Sequence, residues 1–263
     1  MPEQWQAAVA AVRTALEPYG MTIVQPFCLG WYNAAVDIRF QLDRPRGDAD
    51  GEATASDGRD SSRTLGILVG NTSAMWTPFL RFVRSQPAGW LAAHPDPLDA
   101  WTQTVAMADA ATAVRTQLHL PHHSVAVRYP FETGTRMVGF QACAHAAGLA
   151  FLHRGCGLCV HADFGPWFAM RAVVLVDIAG PAGPPPVLRD PVPPSEGGRL
   201  AARVQDLIAR PASTPYDWRP WLQLRDDLAA ATGTTAHRYP DDMVEYHYSK
   251  NRAVIERAVA AME

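Results

Sequence analysis

The run Arg171-Ala172-Val173-Val174-Leu175-Val176-Asp177 carries no polar residue between its charged ends. A strand with one wet face alternates apolar and polar residues, so an unbroken run reads as a central strand covered on both faces. Such a strand commits the chain to layers of structure on either side of it. The preceding residues supply material for one layer. Met137 to Gly148 is small and apolar and reads as a tightly packed helix. His153, Cys156, Cys159 and His161 follow, then Phe164-Gly165-Pro166-Trp167-Phe168. Three of the four cysteines and three of the nine histidines fall between Met137 and Asp177, so functional chemistry is expected there.

The rest of the chain alternates helical and strand patterns. Trp5, Val9, Val12 and Leu16 recur at helical spacing from Glu3, and Pro18 and Gly20 end that helix. Strands are expected over Met21–Gln25, Val36–Leu42, Thr64–Gly70 and Ser124–Tyr129. Helices are expected after the cap Asn71-Thr72-Ser73 and over Leu98–Leu118. Residues 43–63 lack aromatic and long aliphatic side chains and cannot offset their ordering entropy, so a mobile loop is expected. Seven prolines between Ile178 and Gly198 point to an extended linker over 181–198. Helices then follow over Arg199–Ala209, Pro220–Ala231 and Asp241–Met262. The pattern predicts an α+β core over 1–180 and a helical C-terminal cap over 199–263.

At 263 residues, 48% hydrophobic, 19% charged and a formal charge of -3, the chain reads as an ordinary soluble protein. No basic patch points to nucleic acid, and no apolar run of about 18 residues points to a membrane span. With no secretory pattern and few cysteines, a reducing, cytoplasmic location is expected. His153-x-x-Cys156-x-x-Cys159-x-His161 offers zinc-ligand types, although structural sites usually draw their ligand pairs from separate segments. The same Cys-x-x-Cys could be a redox pair, or simply reduced cysteines packed in the interior. His145 reads as a hydrogen-bonded core histidine or as a ligand contact on a helix with room beside it. Arg171 must be paired if buried, with a structural carboxylate or with an anionic ligand.

Cys159-Val160-His161-Ala162-Asp163-Phe164-Gly165-Pro166-Trp167-Phe168-Ala169-Met170-Arg171 resembles the segment Cys-Ile-His-Pro-Arg-Phe-Gly-Gly-Trp-Phe-Ala-Ile-Arg of the CblC-type cobalamin-processing family. Pro26-Phe27, Trp31-Tyr32-Asn33, Leu65–Trp76, Asp96-Pro97-Leu98-Asp99 and Gln141 with His145-Ala146-Ala147-Gly148 resemble further family motifs in the same order. The resemblance runs from about residue 18 to 177 and continues faintly through Trp218-Arg219-Pro220-Trp221 and Arg225-Asp226. It implies a flavin-nitroreductase-like α+β fold, a mixed or antiparallel sheet flanked by helices, whose flavin pocket has become a corrinoid cavity. It also implies binding of base-off cobalamin and removal of its upper ligand, by alkyl transfer to glutathione or by reductive decyanation with FMN or FAD.

By the same resemblance, the corrinoid contacts would be Val138, Gly139, Phe140, Gln141, His145, Leu152, His153, Arg154, Cys159 and Met170. Gly148 and Gly165 would let backbone approach a flat macrocycle, and Phe164, Trp167 and Phe168 would line or cover its face. Arg171, Arg225 and Arg252 would hold the glutathione carboxylates through guanidinium forks. The partners implied are a corrinoid and a thiol, with a homodimer possible. The chain departs from the family segment at Ala162-Asp163, at Pro166 and at the additional Cys156. Cys156 with Cys159 could therefore act as an internal thiol source. A non-catalytic corrinoid carrier, a flavin-dependent reductase and a zinc-stabilised protein remain the competing readings.

Overall fold

The computed structural model describes residues 3–45, 60–210 and 217–262. In chain order its elements are α1 (Gln4–Leu16), β1 (Ile23–Cys28), α2 (Leu29–Asn33), β2 (Thr64–Asn71), α3 (Trp76–Ser85), α4 (Trp90–Ala93), α5 (Pro97–Trp101) and α6 (Met107–Leu118). They continue with β3 (Val125–Arg128), α7 (Phe140–Ala146), β4 (Phe151–His153), β5 (Leu158–Val160), β6 (Ala169–Ala179), α8 (Pro194–Ile208), α9 (Arg219–Ala231), α10 (Asp241–Ser249) and α11 (Arg252–Ala260). The sheet order is β1-β2-β6-β3, and every pairing is antiparallel. β4 and β5 form a separate hairpin.

β6 contains the apolar run, and both of its faces are covered. Ala172, Val174 and Val176 join Leu65, Ile67 and Val69 of β2 in a core packed by α1, α3, α6, α10 and α11. Val173 and Leu175 join Leu68 in a second core beneath α2, α7 and the hairpin. A third cluster joins Cys156 and Val160 of the hairpin region to Leu200, Val204, Leu224 and Leu228 of α8 and α9. Sheet and hairpin are thus held apart by α7, and the hairpin is held against the C-terminal helices.

Several expected elements differ. Val36–Leu42 is not a strand: Ile38–Phe40 is a short 3-10 turn capped by Asp37, whose carboxylate accepts from the Arg39 N–H. Asn33 holds that segment by accepting from the Leu42 N–H and donating to its carbonyl, which replaces strand pairing. Of the loop expected over 43–63, residues 46–59 lie outside the described residues. Its flanks are anchored, by an ion pair of Arg44 with Asp177 at 2.9 Å and by a 3-10 turn at Ser61–Arg63.

α8 begins at Pro194, five residues inside the expected linker, because proline is tolerated in the first helical turn. The rest of that proline-rich segment docks on the core: Val192 is buried and Pro186 packs against Gly148. The helix expected over Asp241–Met262 is two, broken at Lys250 with φ 54°. Its ammonium pairs with Asp96 at 2.8 Å, which offsets the cost of about 1 kcal/mol for a left-handed non-glycine residue.

Candidate functional site

α7, the hairpin and the first residues of β6 form one wall of a cavity of about 670 Å3, and α8, α9 and α10 close the other side. Gln141 comes from α7, Cys156 to Cys159 from the hairpin, and Pro166 with Phe168 to Met170 from the approach to β6. Val204 and Ile208 of α8, Trp221, Leu224 and Arg225 of α9, and His247 and Tyr248 of α10 face them. The wall is mostly apolar, and Arg225 is the one permanent cation among its described residues. The hairpin reaches this position because β4 and β5 pair from Phe151↔Val160 to His153↔Leu158. Gln141 also ties it to α7 by donating to the Gly157 carbonyl at 2.6 Å.

Arg225 is 7% exposed. Its Nε and Nη2 donate to the Pro166 carbonyl at 2.9 and 2.6 Å, and Nη2 also reaches the Phe168 carbonyl at 3.1 Å. The guanidinium lies 4.4 Å from the Trp167 ring centre, a desolvated cation–π contact of about 2 kcal/mol. Arg171 is also 7% exposed, one layer behind the wall. Its Nε donates to Asn71 Oδ1 at 2.6 Å, and its Nη1 faces Asp99 Oδ1 at 3.6 Å. Its Nη2 is buried with no hydrogen-bond partner among the described residues. Burial, and then the neighbouring Asp96, push the Asp99 carboxyl above the usual range. The two arginines act together on His247, which burial and then their charges pull down to about 3. His247 is therefore a neutral imidazole in the cavity wall.

Cys156 and Cys159 both line the cavity, and both thiols are raised by burial, Cys159 to about 12. Neither rests as a thiolate. The Cys159 Sγ donates to the Gln141 carbonyl at 3.5 Å, whereas the Cys156 Sγ lies 3.2 Å from His153 Nδ1. His161 is turned away: its Nδ1 accepts from the Asp163 and Phe164 N–H groups. The zinc alternative is thereby corrected. His153 and Cys156 face each other while Cys159 and His161 are turned to other partners, and among the described residues no group of three or more such side chains could hold a metal ion.

Of the residues singled out from the sequence, Gln141, Cys156, Cys159, Phe168, Met170 and Arg225 line the cavity, and others lie elsewhere. Val138 and Phe140 are packed in the core beneath α7, with Leu152 partly buried against it, and the Gly139 N–H donates to the Tyr32 hydroxyl. His145 is half-buried, and its Nδ1 accepts from the Leu152 N–H at 3.2 Å. Arg154 is exposed, and Phe164 packs between His161 and His237.

The reasons offered for four residues are corrected. Trp167 is fully buried beneath Arg225 and covers no cavity surface. Gly148 (φ 74°) makes room for Pro186, and Gly165 (φ 55°) for Thr234, both within the protein itself. Arg252 is not beside the other arginines: it is exposed and donates to the carbonyls of Leu91 and Ala92, at the end of α4. The sequence reading missed Val204, Ile208, Trp221, Leu224, His247 and Tyr248, which reach the cavity only through the packing of the C-terminal helices. Trp221, the last residue of the faint Trp218–Trp221 motif, carried the one signal that could have drawn attention to them.

Fold and site together define an α+β protein with a mostly apolar small-molecule cavity, its volume within the usual span of about 300–1,000 Å3. The chain is 28% identical to the Danio rerio cyanocobalamin reductase / alkylcobalamin dealkylase, over 93% of this chain and 89% of that protein. It is 27% and 28% identical to the proteins of the same name from Bos taurus and Homo sapiens, over 89% of this chain and 75% of each. Among solved structures, it is similar to a C. elegans B12-trafficking protein CblC, described as a human MMACHC homologue. The TM-score is 0.67 at 17% identity, over 99% of this chain and 98% of that one. No family model matches the chain. The chain is thus similar to the curated cobalamin-processing proteins along nearly its whole sequence, and to the C. elegans CblC structure in fold.

Proposed function

We propose that this protein is an enzyme that binds cobalamin in its base-off form and removes the upper axial ligand. One observation carries the reading. The segment whose residue order resembles the CblC-type motif contributes Cys159, Pro166, Phe168, Ala169 and Met170 to the cavity wall. The curated relatives, which match 89% and 93% of the chain, are named for cyanocobalamin reduction and alkylcobalamin dealkylation. The mostly apolar wall excludes water from the reacting face, and the corrinoid supplies the organometallic chemistry. We further read the sheet as nitroreductase-like, with a corrinoid in place of the flavin and flavin-derived electrons serving the decyanation branch.

For the alkyl branch, the co-substrate is a thiol peptide of the glutathione type. Arg225 presents fixed positive charge at the wall, and Arg171 adds a second charge behind it. Together they attract carboxylates, and they favour the thiolate of the bound peptide over its thiol. His247, neutral beside them, adds no competing charge. In Arg225→Gln, the KM for glutathione in methylcobalamin dealkylation should rise about tenfold or more, the loss of one charge-assisted contact of about 1.5–3 kcal/mol. An unchanged KM with intact corrinoid binding would contradict this role for Arg225.

A further inference from the structure

Cys156 is additional to the family motif, and the structure gives it a partner. Its backbone N–H donates to His153 Nδ1 at 3.2 Å, so that nitrogen carries no proton and the ring is the Nε2–H tautomer. The Cys156 Sγ lies 3.2 Å from the same lone pair and 3.6 Å from the His153 carbonyl. On the far side of the ring, Nε2 faces Asp190 Oδ2 at 3.7 Å. Asp190 is itself held, because its Oδ1 accepts from the N–H of buried Val192 at 2.9 Å. The imidazole is clasped between two glycines: a side chain at Gly155 would meet Cε1 at 3.0 Å, and one at Gly197 would meet Nε2 at 3.3 Å. Thiol, imidazole and carboxylate thus stand in the order of a nucleophile, its base and the group that orients the base. Cys156 is also part of the cavity wall. Cys159, hydrogen-bonded to a carbonyl, has no such base.

We propose that Cys156, His153 and Asp190 form a nucleophilic thiol site of the cavity, through which the chain itself accepts the alkyl group of a bound alkylcorrinoid. The proposal rests on the corrinoid reading given above. His153 Nδ1 takes the S–H proton, and Asp190 faces the resulting imidazolium. The sulfur then forms a bond to the cobalt-bound carbon. The cobalt–carbon bond breaks with its electron pair left on the metal, so Co(III) becomes Co(I) and Cys156 becomes a thioether. Each chain can do this once. Transfer to an external thiol is the turnover route, and Cys156 acts when that thiol is absent.

The test uses the full chain with methylcobalamin, anaerobically, in the dark and with no added thiol. Expected are cob(I)alamin approaching one equivalent per chain and one methyl group on the peptide carrying Cys156. Cys156→Ser and Cys156→Ala should abolish both while keeping the base-off spectrum. His153→Gln, which retains an acceptor for the Cys156 N–H, should slow the transfer on the order of 100-fold. Asp190→Asn should slow it less. Base-off binding without methylation of Cys156 overturns the proposal.

Absence of any spectral change overturns the corrinoid reading instead, and iodoacetamide then decides the thiol site without a corrinoid. Cys156 should be alkylated faster than Cys159 in the same molecule, with a pH–rate profile that His153→Gln shifts to higher pH. Equal labelling of the two cysteines, or a profile unmoved by that substitution, overturns it.

Discussion

At the scale of single residues, the site is built from buried polar groups whose partners can be named. Arg171 is held by Asn71 and Asp99, and Asp99 is partly open to solvent. Arg171→Met should therefore cost about 2–3 kcal/mol in urea unfolding, below the full value for a buried pair. A change within about 0.5 kcal/mol would show that the pair contributes nothing net. His247 gives a pH dependence of defined sign. Burial and the charges of Arg225, Arg171 and Lys250 hold its pKa down to about 3, with Asp96 opposing them. The unfolded chain takes up a proton near the ordinary histidine pKa, so between that value and about 3 it binds more protons than the folded chain. Stability therefore falls as pH is lowered through this window. From pH 7 to pH 5 the loss should be about 1–2 kcal/mol, and His247→Asn should remove most of that slope. An equal slope in wild type and variant would mean that His247 is protonated in the fold.

At the scale of elements, β2 and β6 dominate. All eight residues of β2 are buried, and Gly66 stands opposite Phe27 of β1. A methyl group at Gly66 would collide with the Phe27 ring. Gly66→Ala should therefore cost about 3 kcal/mol or more, and the double variant with Phe27→Leu should recover much of it. A thermal midpoint unchanged in Gly66→Ala would contradict the packing of β1 on β2. These strands were legible because an unbroken apolar run has few physical solutions. The 3-10 turn at Ile38–Phe40 was not: Val36, Ile38 and Phe40 alternate as a strand does, and side-chain hydrogen bonds from Asn33 settle the segment otherwise. The break at Lys250 was illegible for a related reason, since lysine is an ordinary helix residue and its pairing with the distant Asp96 leaves no local signal. The hairpin residues of the cavity could be read as a cluster from spacing alone. The Asp190 partner of His153 could not, because it comes from a proline-rich segment that gains its place only by docking.

At the scale of the whole molecule, the C-terminal helices are half of the site. α8, α9 and α10 supply Val204, Ile208, Trp221, Leu224, Arg225, His247 and Tyr248 to the cavity. Their sequences read as ordinary amphipathic helices, since which face meets a ligand depends on packing and leaves no local signature. Among the described residues, no helix is long and apolar enough to cross a membrane. The similarity to the CblC-type proteins over nearly the full length fits a chain in which the sheet side and the C-terminal helices jointly line one cavity. The most direct measurement is the absorbance spectrum of the protein with excess methylcobalamin and glutathione, anaerobically and in the dark. The account predicts an immediate base-off shift on binding, then growth of the cob(I)alamin band through several turnovers per chain. A spectrum that stays that of free methylcobalamin would contradict it.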